Sequence, residues 1–87
     1  MNFPEEDEFD EQFRARLKAT RLSMGWSHPR MAHALGVKVD AYKKYENRVR
    51  SSFPMYLLPR LIFISDRPYS YWLLGHGEAP GRFKVVK

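Results

Sequence analysis

Apolar residues recur along this chain at helical spacing, and proline and glycine divide the pattern into five segments. Phe13, Leu17 and Met24 fall four and seven apart, which places them on one stripe of a helix predicted over Phe9 to Met24, with Asp10 and Glu11 near its positive N-terminal end and Gly25 closing it. Ser27 is a good N-cap for a second helix to Leu35. Pro29 is tolerated in its first turn, and Met31, Ala32 and Leu35 face inward. Gly36 supplies a turn, and a third helix is predicted over Val39 to Asn47 with Tyr42 and Tyr45 on its buried side. Asp40, Lys43 and Lys44 are left pointing outward. After a basic loop at Arg48 to Ser52, a fourth helix is predicted over Leu57 to Ile64, with either Pro59 or Pro54 as its first-turn proline. A fifth helix follows Pro68 and contains Tyr71 to Leu74 before Gly75 and Gly77 break it. The tail Arg82 to Lys87 alternates polar and apolar residues as a strand does.

Composition bounds what this pattern can build. The 87 residues, 44% of them apolar, are one domain's worth of chain and bury only roughly 60 to 65% of the unfolded surface. Cysteine is absent, which excludes disulfides, thiolate zinc sites and cysteine nucleophiles together. The longest apolar run, Leu61 to Ile64, is far short of a spanning helix, and the N-terminus is acidic where a signal peptide is basic, so a soluble, cytoplasmic protein is expected. His28 and His33 stand five apart, on different faces of a helix, which argues against a metal pair. No nucleophile, base and orienting group come together in the sequence. Neither an enzyme, a cofactor nor a small-molecule substrate is expected.

Charge changes the picture more. The net charge of +5 conceals an acidic leader, Glu5, Glu6, Asp7, Glu8, Asp10 and Glu11, followed by 75 residues that hold 15 basic against 4 acidic side chains, a net of +11. A cationic body of this kind is the footprint of a polyanion binder. The leader, read as residues 1 to 8, is expected to be a flexible arm whose last residues favour the start of the first helix; it would alternatively shield the basic face from nonspecific DNA.

The stretch Trp26 to Asn47 combines these signals: two short helices, a tight glycine turn, and lysines on the free face of the second helix. This is the pattern of a helix-turn-helix. RLKATR at 16–21, GWS at 25–27, MAHALGV at 31–37, YKKYEN at 42–47 and the WLLGHG ending at 72–77 together resemble the XRE or Cro/CI-type helix-turn-helix regulators, over Phe13 to Asn47 without a gap and more loosely to Gly77. The resemblance implies an all-α, compact, five-helix lambda-repressor-like DNA-binding domain at residues 9–77, with residues 78–87 as a tail. It implies a sequence-specific regulator of double-stranded DNA, a repressor of phage, mobile-element or toxin–antitoxin type, acting as a homodimer on a pseudo-palindromic operator. The alternative within the same fold is a protein-binding adaptor or antitoxin.

Carried onto this chain, the resemblance assigns base contacts to Val39, Asp40, Lys43 and Lys44, whose side chains can meet a thymine methyl, a cytosine amino group and guanine acceptors. Phosphate contacts fall to His28, Arg30, Lys38, Arg48 and Arg50. Arg21 and Glu46 are expected to pair inside the domain, and Tyr71, Trp72, Phe83 and Val85 are the dimerisation candidates. The chain departs from the family where Arg48 replaces the usual glycine, where Tyr42 replaces isoleucine or valine, and at Arg30, which denies the second helix a capping box. Lys38 is a poor N-cap for the third helix.

Overall fold

The first helix begins earlier than the apolar stripe alone requires. In the computed structural model, which describes residues 5–47 and 53–75, α1 spans Glu6–Ser23. The Glu8 carboxylate accepts the Glu5 N–H at 3.4 Å, and acidic side chains in a first turn interact favourably with the helix dipole. The end of the acidic leader is therefore helical.

α2 (His28–Leu35) starts as its sequence predicts: the Ser27 hydroxyl accepts the Arg30 N–H at 3.3 Å, and Pro29 occupies the first turn. Gly36 ends α2 in the left-handed region at φ 79°, where a side chain would be strained, and this sharp reversal leads into α3 (Val39–Asn47). A 3-10 turn (Met55–Leu57) precedes α4 (Leu58–Ser65), so the predicted fourth helix divides into a tight turn and a regular helix. Pro54 caps the turn and Pro59 sits at the start of α4, giving each proline a place where its missing N–H costs nothing. Asp66 closes α4 with a positive φ of 57°. α5 (Tyr69–Leu74) ends at Gly75, whose N–H bonds back to Tyr71 O at 2.9 Å.

Every regular element among the described residues is thus helical. α2 packs most closely on α3, α1 crosses both α3 and α5, and α4 closes on α2. Leu17, Met31, Leu35, Tyr42, Leu61 and Trp72 are fully buried where these helices meet. Phe13 is the aromatic hub, with ring centroids 5.2 Å from Phe53 and 5.6 Å from Trp72. Edge-to-face and tilted pairs at these distances contribute about 0.5–1.5 kcal/mol beyond their burial. The tail proposed as a strand lies outside the described residues. No helix among the described residues is long and apolar enough to cross a membrane.

Candidate nucleic-acid interface

The α2–α3 pair is fixed from inside by charge as well as by packing. Arg21, on α1, donates from Nε to Glu46 Oε2 at 2.5 Å and from a terminal nitrogen to Glu46 Oε1 at 3.2 Å. Its other terminal nitrogen reaches Trp26 O at 2.9 Å. One guanidinium therefore ties α1 to the end of α3 and to the chain entering α2. The Tyr42 hydroxyl, one helical turn before Glu46, donates to the same carboxylate. Burial opposes the Glu46 charge, but the hydrogen bonds from Arg21 and Tyr42 overcome it and hold the carboxyl below its ordinary range. The hydrogen bond to Glu46 likewise raises Arg21, and burial together with that carboxylate pushes the Tyr42 phenol far up.

With Tyr42 and Glu46 turned inward, helical geometry sends the intervening residues out. Asp40, Lys43 and Lys44 are exposed along α3, and Lys38 is exposed at its start. Val39 is half-buried and packs partly against the core, so only part of its surface faces the same side. The carbonyl of Lys38 accepts the Tyr42 N–H at 3.0 Å and so begins the helix. The inward side of α3 differs in one respect from the sequence pattern: Tyr45 is only half-buried, and Glu46 takes the deeper position because Arg21 neutralises it there.

The residues assigned to phosphates divide. Arg30 is exposed at the start of α2 and lies with its guanidinium carbon 4.6 Å from the Trp26 ring centroid, a cation–π arrangement that holds the side chain over the helix entrance. His28 instead turns toward the core: Nε2 stands 3.4 Å from Glu46 Oε1, and its ring centroid is 6.1 Å from that of Tyr42. Its side chain keeps 33% of its exposure, so it borders the surface while serving the buried carboxylate. Arg48 and Arg50 lie outside the described residues.

Of the dimerisation candidates, Trp72 is fully buried with its ring against Phe13 of α1, and Tyr71 is 9% exposed. Phe83 and Val85 lie outside the described residues.

Four interactions lie beyond what the sequence pattern encodes. The Tyr42 and His28 contacts to Glu46 were missed because a tyrosine in place of an aliphatic residue reads as mere bulk; its position four residues before a buried glutamate was the available signal. Arg60 donates to Leu35 O at 3.3 Å and so satisfies the end of α2, and Arg16 donates to Trp72 O at 2.9 Å. These arginines, with Arg21, are held by internal acceptors. The exposed charge of α3 is carried by lysines instead.

Among the described residues no three His, Cys, Asp or Glu side chains gather as metal ligands. No protein-family model, curated protein or solved structure matches this chain.

Proposed function

We propose that this protein is a sequence-specific double-stranded DNA-binding regulator of the XRE or Cro/CI type that places α3 in the major groove as half of a dimer. The observation that carries the reading is the division of α3 into an inner side, Tyr42 and Glu46, locked to α1, and an outer side on which Asp40, Lys43 and Lys44 are exposed. A helix held rigidly from behind, with cations in front, suits insertion into a groove about 12 Å wide.

In this arrangement Lys43 and Lys44 donate to guanine O6 and N7, Asp40 accepts from a cytosine amino group, and the free part of Val39 meets a thymine methyl. Arg30 and Lys38 contact phosphates on either side. The α2 N-terminus adds its dipole, with no acid in its first turn to oppose an anion. His28 contributes at one remove: its imidazole steadies Glu46 and thereby the pitch of α3.

In-vitro selection from a randomised duplex library tests the proposal. An enriched motif with two related half-sites about one helical turn apart is expected. Recovery of no motif above background argues against it.

A further inference from the structure

α4 is apolar on more sides than the core can cover. Leu58 and Leu61 are buried, yet Phe63 is 85% exposed and, in the turn before α4, Tyr56 is 80% exposed. Met55, Pro59 and Phe63 recur every fourth residue and form an outward stripe, with Tyr56 beside it. A helix with apolar residues all round belongs in an interior or against a partner. At the Met55 end lies a hollow of about 200 Å³ walled mostly by Phe9, Phe13, Tyr45, Phe53 and Met55, with Asp10 and Arg14 completing the wall. Roughly 150 Å³ already holds benzene, so the hollow has room for one phenyl ring.

We infer that this stripe is a self-association surface, on which Phe63 of one copy enters the hollow beside Met55 of the other. Met55 belongs both to the stripe and to the wall of the hollow, so one copy would offer both the protruding ring and the space for it, as a two-fold contact requires. With the axis at Pro59 and the two α4 helices antiparallel, the register sets Phe63 opposite Met55 and Met55 opposite Phe63. The span from Met55 to Phe63 is roughly 12–14 Å at helical rise, so both contacts form at once.

Charge favours a second copy over an acidic partner. The only charged residue between Met55 and Ser65 is Arg60, one terminal nitrogen of which donates to Leu35 O, and the two charged residues of the hollow, Asp10 and Arg14, are of opposite sign. An aromatic side chain buries about 150–250 Å². At the exposures of Phe63, Tyr56 and Met55, each copy therefore covers roughly 400–600 Å². The pair reaches only the lower edge of the roughly 1,200–2,000 Å² of a standard interface. Association is accordingly weak in free solution and completed when two half-sites hold the copies together, a consequence that rests on the DNA-binding reading above.

Sedimentation equilibrium of the full chain without DNA tests the surface independently of that reading. Concentration-dependent dimers are expected, weakened at least about tenfold by Phe63→Ser, whose exposure leaves the fold intact by circular dichroism. Because the chain has no cysteine, mixed Met55→Cys and Phe63→Cys variants should form an intermolecular disulfide under mild oxidation faster than Leu22→Cys, an exposed position on α1. A strictly monomeric wild type, unchanged association of Phe63→Ser, or cross-linking no faster than the Leu22→Cys control overturns the inference. Loss of DNA affinity with self-association intact leaves it standing and counts against the DNA-binding reading instead.

Discussion

Arg21 and Glu46 stand 25 residues apart in sequence, yet the guanidinium and carboxylate meet in a two-point contact with side-chain exposures of 7% and 0%. The contact joins the first helix to the last turn of α3. It sets the helix that carries the exposed lysines.

Removing the carboxylate should be a folding defect before it is a binding defect. Glu46→Ala strands the Arg21 charge and leaves the Tyr42 hydroxyl without its acceptor, at a cost of about 3–5 kcal/mol. Chemical denaturation reads the loss directly, and a midpoint equal to that of wild type contradicts it.

The same cluster sets the response to acid and base. Glu46 is held below its ordinary range when folded, so its contribution is complete above the unfolded value of about 4.3 and is lost as pH falls below it. Tyr42 is raised when folded, so its contribution is complete below about pH 10 and is lost as pH climbs beyond. Urea midpoints should therefore fall between pH 5 and pH 3, and the fall should shrink in Glu46→Gln. An identical acid profile for that variant removes Glu46 from the explanation.

Gly36 is the turn between α2 and α3, and its positive φ of 79° leaves little room for choice. A Cβ there would lie 2.7 Å from a terminal nitrogen of Arg60. That flexible end can move aside, but only by giving up Leu35 O. Gly36→Ala should cost about 1–2 kcal/mol from the left-handed backbone alone, with a further loss from the freed carbonyl. A thermal midpoint unchanged from wild type refutes this.

The helices were legible in the sequence where local chemistry acts alone. Ser27, Gly36, Pro68 and Gly75 mark their ends because caps and left-handed turns depend on one or two residues. The start of α1 was placed too late because its first turn is acidic and not apolar, and periodicity is blind there. Glu46 and Arg21 could be paired only through the family pattern, whereas the turning of His28 toward Glu46 depends on how α2 meets α3, which no local spacing encodes. Trp72 illustrates the same limit: aromatic residues near a chain's end fit an interface or a core equally well, and packing against Phe13 decides for the core.

The most direct measurement is the salt dependence of binding to a selected duplex, made with wild type and with Lys43→Ala/Lys44→Ala. With Arg30 and Lys38 joined at phosphates by Arg48 and Arg50 of the basic loop, four cations per subunit, a dimer should show log K falling against log salt with a slope of roughly −7. The double variant should lose discrimination between the selected and a scrambled duplex. A slope near zero, or unaltered discrimination by the double variant, would contradict the placement of α3 in the major groove.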